Sequence, residues 1–70
     1  PDPDRRQFFI GDRLRKKRHI NRKDICKAFG VSVPQAALDL KRYIAANPGA
    51  LAYNTSTKRY ELASEIKTNG

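Results

Sequence analysis

The sequence predicts a mostly α-helical domain closed by one small β-hairpin, with three helices followed by two strands. Three observations predict it. Apolar residues recur at helical spacing through the first two thirds of the chain, two successive segments each open on an N-cap signal, and the last third alternates around a turn. Seventy residues leave room for one core. A chain of this size hides only roughly 60% of its unfolded surface, so a few well-placed apolar side chains must hold it together.

In "DRRQFFIGDRLRKKR", Phe9, Ile10 and Leu14 share one side of a 3.6-residue helix. The first helix is expected over about Arg5 to Lys17 with Asp4 as its N-cap, and residues 1–4 are expected to be a disordered tail. Arg15, Lys16, Lys17 and Arg18 complement the negative end of its dipole. Phe8 points away from the apolar side, which fits either an N-terminal cluster or a contact for a second subunit.

"INRKDICKAFG" has an apolar lead-in at Ile20, then Asn21 as N-cap with Asp24 three residues on, Ile25 and Phe29 four apart, and Gly30 as the stop. His19 reads as a linker residue and Cys26 as a small buried one. After Val31 the signal repeats. Ser32 and Gln35 have capping-box spacing, and Pro34 sits in the first turn, where its missing N–H costs no helical bond. The third helix starts near Val33 and ends around Asn47, ahead of Pro48 and Gly49.

"ALAYN" and "KRYEL" then place Leu51 with Tyr53, and Tyr60 with Leu62, on alternating positions around "NTST". Tyr53 and Tyr60 are expected as a cross-strand pair in the core. Lys58 shares the parity of Tyr60 and must snorkel, while Arg59 points the other way. The domain is expected over residues 5–62, with 63–70 as a tail or linker.

Two capped helices joined through "FGVS", preceded by an amphipathic helix and followed by a hairpin, spell a winged helix-turn-helix. In a DNA-binding version the second of the two lies in the major groove with its first residues at base edges. Its core face collects Ala36, Leu40, Tyr43 and Ile44, with Val33 and Ala37 at the edges. Ser32, Pro34, Gln35 and Leu38 are therefore the expected base readers: an amide able to pair with adenine, and an apolar side chain able to touch a thymine methyl. Gln35 can also serve merely as capping partner to Ser32; its outward direction favours reading. The expected phosphate contacts are Lys41 and Arg42 further along the helix, Asn21, Arg22 and Lys23 at the N-terminus of the second helix, and Thr55, Ser56, Thr57, Lys58 and Arg59 in the hairpin.

Charge supports the same reading. The chain carries a formal net charge of +8, with fifteen Lys and Arg against seven Asp and Glu. Residues 5–27 hold ten of those cations against Asp12 and Asp24. Such a face suits a polyanion, although the run Arg13 to Arg18 also reads as a solvated helix end. One Cys and one His cannot build a zinc site, and no nucleophile–base pair or phosphate-cradling glycine loop is present, so no enzyme activity, metal or cofactor is expected. Neither a bilayer-spanning apolar stretch nor a signal peptide opens the chain, and a cytoplasmic protein is expected.

These residues also carry a resemblance. "KAFGVSVPQAALDLKRYIA" resembles the DeoR-type helix-turn-helix, with Gly-Val-Ser followed by a helix bearing Asp39 and Leu40. Roughly residues 9 to 60 are similar to the N-terminal winged helix of WYL-domain transcriptional regulators, including those that repress bacterial phage-defence operons. The most specific pieces are Ile20 to Arg22, Ser32 to Ala36, Asp39 with Leu40, Arg42 with Tyr43, and Lys58 to Tyr60. The resemblance implies an operator-binding homodimer, with WYL and dimerisation regions following the winged helix. The expected function is sequence-specific binding of double-stranded DNA, at an inverted repeat, by a bacterial repressor. An RNA-binding or protein-docking winged helix is the alternative; a basic helix lying on an anionic membrane is disfavoured by the capped helices that follow.

Overall fold

A computed structural model describes residues 2–63. Its first helix, α1, spans Pro3–Lys17, two residues longer at its start than expected. Asp2 is the N-cap, its Oδ1 accepting from the Asp4 amide at 2.9 Å, and Pro3 opens the first turn. The Asp-Pro step supplies both the cap and a first residue that needs no N–H partner, so residues 2–4 are ordered as cap and first turn and not as a tail. Asp4 instead adds a negative charge near the positive end of the dipole. The helix closes on Arg18, left-handed at φ 70°, whose amide donates to the Leu14 carbonyl.

His19–Ile20 form β1, a strand where the sequence suggested only a linker and an apolar lead-in. Two residues are too few to show a period of two; only pairing to a distant strand defines them. Next, α2 covers Arg22–Phe29. The Asn21 side chain accepts from the Asp24 amide and the Asp24 carboxylate accepts from the Asn21 amide, both at 3.0 Å, a reciprocal capping box. Gly30, at φ 69°, ends the helix by donating to the Cys26 carbonyl at 2.7 Å.

The next helix, α3, spans Val33–Ala46, with Ser32 Oγ accepting from the Gln35 amide at 3.2 Å. It stops at Asn47, whose side chain donates back to the Tyr43 carbonyl. Strand β2 is Leu51–Asn54 and β3 is Arg59–Leu62. The sheet is three-stranded and antiparallel in the order β1-β3-β2, so the wing has one strand more than the predicted pair. Ile20 stands opposite Tyr60 on one side of β3, and Leu51 opposite Leu62 and Tyr53 opposite Tyr60 on the other.

Ile10, Leu14, Ile20, Ile25, Ala36 and Leu40 form the buried centre, with Phe9, Phe29, Tyr43, Leu51, Tyr60 and Leu62 packed around it. Phe9 and Phe29 meet edge to face at 5.3 Å between ring centroids, pinning α1 to α2. Cys26 is half-buried beside this core. Two expectations change. Tyr53 does pair with Tyr60, at 4.9 Å, but remains 46% exposed: of the two rings only Tyr60 packs against the core, and Tyr53 lies further toward the wing tip. Lys58 does not follow strand parity. It closes the turn 55–58 in a left-handed conformation, φ 59°, with its amide on the Asn54 carbonyl, so it projects into solvent with no need to snorkel. The polar tail from residue 64 onward lies outside the described residues.

Candidate nucleic-acid interface

The capping box that starts α2 leaves Arg22 and Lys23 in its first turn, where the N–H groups have no acceptor within the helix and the dipole favours an anion. The fold brings the wing over this point. A hollow of about 320 Å³ is lined by Asn21, Arg22 and Lys23 from the start of α2, Val33 from the start of α3, and Tyr53, Thr57 and Lys58 from the wing. Two predicted cation clusters, far apart in sequence, thus meet beside the first turn of α3.

Charge pairing occupies several of the other basic residues, although Arg5, Lys17 and Lys27, outside the hollow, likewise pair with no carboxylate among the described residues. Asp12 neutralises Arg15 and Lys16, Asp24 lies 3.7 Å from Arg13, and Arg59 pairs with Glu61 at 3.6 Å. Among the described residues, no carboxylate pairs with Arg22, Lys23, Lys41, Arg42 or Lys58. All five are exposed or turned to the solvent face. Uncompensated cations on a concave surface focus the field outward and raise the local concentration of a polyanion.

On α3, Ser32, Pro34 and Leu38 are exposed, Leu38 at 42%, and Lys41 and Arg42 continue the same side along the helix. Gln35 is half-buried. Its side chain does not return to Ser32, as a capping-box partner would; Nε2 donates instead to Asp39 Oδ1 at 3.1 Å. Asp39 has 0% exposure, and its other oxygen accepts from Arg6 Nε at 2.6 Å. Gln7 Nε2 donates to the Asp39 carbonyl at 2.8 Å. Val33, expected at the edge of the core, is 47% exposed and faces the hollow.

In the wing, Thr55 and Ser56 are exposed at the tip. Asn54 Oδ1 accepts from the amides of Ser56 and Thr57, which fixes the turn. Glu61 Oε1 accepts from Asn54 Nδ2 at 3.2 Å and Oε2 from the Thr57 hydroxyl at 3.1 Å. Those bonds, the Asn54 one foremost and the Arg59 charge besides, hold the Glu61 carboxyl below its usual pKa despite some desolvation. Arg59 stands opposite Asn54 in the sheet, beside Glu61 and 3.3 Å from His19 Nε2. It is therefore a brace of the wing, and the fold does not bring it to the hollow with Lys58. The Thr57 hydroxyl hydrogen is likewise committed to Glu61.

Sequence reasoning missed Tyr53 and Val33 as lining residues, and Arg6, Gln7 and Asp39 as the support beneath α3. The stripe Arg6, Ile10, Leu14 at four-residue spacing was a readable sign that Arg6 faces inward. Asp39, three residues after Ala36 and four before Tyr43 on the core face of α3, was another.

Fold and face together define a winged helix-turn-helix domain with a hollow whose cations Arg22, Lys23 and Lys58 pair with no carboxylate among the described residues. The chain belongs to the BrxR transcriptional regulator winged helix-turn-helix domain family, whose model matches residues 5–69. It is 46% identical over 57 residues to the DNA-binding transcriptional repressor CapW of Escherichia coli, which covers 81% of this chain and 19% of that protein. CapW of Pseudomonas aeruginosa is 39% identical over 64 residues, 91% of this chain and 21% of that protein. The chain thus spans about a fifth of the length of the curated relatives it matches. Among the described residues no helix is long and apolar enough to cross a membrane.

Proposed function

We propose that this domain binds double-stranded DNA sequence-specifically as the DNA-binding part of a bacterial transcriptional repressor, working in the cytoplasm as a homodimer on an inverted-repeat operator. The observation that carries the reading is the convergence of Arg22, Lys23 and Lys58 on one hollow beside the first turn of α3, with Lys41 and Arg42 exposed further along that helix and none of the five paired with a carboxylate among the described residues. The name shared by the relatives supports it. In this reading Ser32, Pro34, Gln35 and Leu38 meet base edges. Asn21, Arg22 and Lys23 hold a phosphate at the start of α2, Lys41 and Arg42 another along α3, and Thr55, Ser56 and Lys58 follow the backbone from the wing. Tyr53 adds a hydroxyl donor to the hollow, while Arg59 and Thr57 keep the wing in shape.

Salt dependence tests the proposal. Five neutralised phosphates per subunit give a slope of log affinity on log salt of about −4 to −5, since each released counterion contributes about −0.9 on B-form DNA. Filter binding to labelled duplex at several salt concentrations, with RNA and heparin as competitors, reads this directly. Preference for RNA, or equal competition by heparin against every duplex, would replace the reading with a non-DNA one.

A further inference from the structure

We propose that Arg6 and Asp39 form a positioning relay that fixes how Gln35 is presented to a base pair, so that a residue of α1 remote from the bases sets a base preference. The inference rests on the reading of α3 as the recognition helix. Asp39 is wholly buried and has both carboxylate oxygens engaged, Oδ2 by Arg6 Nε at 2.6 Å and Oδ1 by Gln35 Nε2 at 3.1 Å. Gln7, also on α1, holds the backbone of the same residue. One turn of α3 carries this anchor to the half-buried Gln35.

The chemistry of the partners decides the orientation. A carboxylate only accepts, so the amide nitrogen of Gln35 must face Asp39, and half a turn of the amide would set two acceptors against each other. One Nε2 hydrogen is thereby spent. The other hydrogen and Oε1 remain for the groove, a donor beside an acceptor, which complements adenine N7 and the N6 amino group. A free glutamine would offer its amide either way round and would lose rotamer freedom on binding; here that freedom is already lost in the unbound chain. Arg6 acts on this through Asp39.

The relay makes a prediction that a merely structural ion pair does not. In Asp39→Asn, the side chain must still turn its oxygen toward Arg6, which has donors only, and so shows its NH2 to Gln35. Gln35 then flips, its Oε1 accepting from position 39 and its Nε2 facing outward as donor. Both Nε2 hydrogens then lead outward while Oε1, one lone pair spent on position 39, turns inward, and paired donors suit the acceptors O6 and N7 of guanine. Selection of binding sites from a random duplex pool by the full chain is therefore expected to return adenine at one position for the wild type and guanine there for D39N. The preference should change about five- to 150-fold, with the other positions unaltered. Arg6→Lys, which keeps a donor-only cation, should retain adenine even where its affinity falls.

Gln35→Ala separates this inference from the reading beneath it. An unchanged selected motif for Q35A sinks the recognition role of Gln35 itself. Loss of that base in Q35A with the wild-type motif kept in D39N overturns the relay alone. Should D39N not fold, side-chain NMR of the unbound wild type decides. A Gln35 amide with an order parameter near the rigid limit upholds the relay, and one below about 0.6 overturns it.

Discussion

Removing the Asp39 carboxylate should be among the most damaging single changes to this fold. The carboxylate lies 2.6 Å from Arg6 Nε, and the two side chains are only 1% and 6% exposed. Asp39→Ala withdraws a carboxylate from beside a buried guanidinium, a loss that costs about 3–5 kcal/mol when one partner of a buried pair is deleted. A chain of this length has about 4–10 kcal/mol of total stability, so the variant should lie near its unfolding threshold. Urea titration followed by far-UV ellipticity is the assay. With m near 1 kcal/mol/M for so small a domain, the midpoint should fall by about 3 M or more while m stays constant. The paired replacement Arg6→Met with Asp39→Leu removes both charges at similar volume and should recover most of the loss, because the desolvation cost of the pair disappears with its attraction. A D39A midpoint within about 1 M of wild type, or a double variant as unstable as the single one, would refute the claim that this pair is a true buried ion pair.

Three smaller perturbations follow from local geometry. Asn21→Ala breaks a reciprocal capping box and should destabilise by about 1 kcal/mol, read as a urea midpoint shift, while also weakening duplex binding because it loosens the first turn that carries Arg22 and Lys23. Lys58→Gly relieves a left-handed non-glycine residue, so stability should hold or rise by up to about 1 kcal/mol, yet the salt slope of duplex binding should shrink by about 0.9. Glu61 has a folded-state pKa below its unfolded value, so its contribution is present above the unfolded pKa of about 4.5 and is lost as pH falls through the folded value. Thermal midpoints measured from pH 6 downward should therefore fall less steeply below pH 4.5 in Glu61→Gln than in wild type.

Much of the architecture was legible because its signals are local. Asn21 with Asp24, Gly30, and Ser32 ahead of Pro34 each satisfy or terminate a helix within four residues, and the structure uses all of them as read. The wing register was legible from the alternation of Leu51, Tyr53, Tyr60 and Leu62. What escaped depends on partners distant in sequence. β1 exists only because β3 pairs with it, and Arg6 finds Asp39 thirty-three residues away. Arg6 sits in the polar stretch Asp4 to Gln7, whose average character is solvated. Gln35 reads as outward from helical phase, which does not reveal the bond its amide makes to Asp39 one turn further on. Tyr53 was placed in the core by strand parity, which gives the face but not whether a helix lies beneath that end of the sheet. Start signals misled once, because Asp2 and Asp4 are both good caps and the choice fell to the proline between them.

The most direct test of the account is amide and side-chain NMR of the chain titrated with an operator duplex. Shifts concentrated at Gln35, Leu38 and Lys41 on α3, together with Arg22, Lys23 and Lys58 around the hollow, are the predicted result. A titration that leaves those six unmoved while Phe8, Phe9 and Phe29 on the α1–α2 side respond would contradict it.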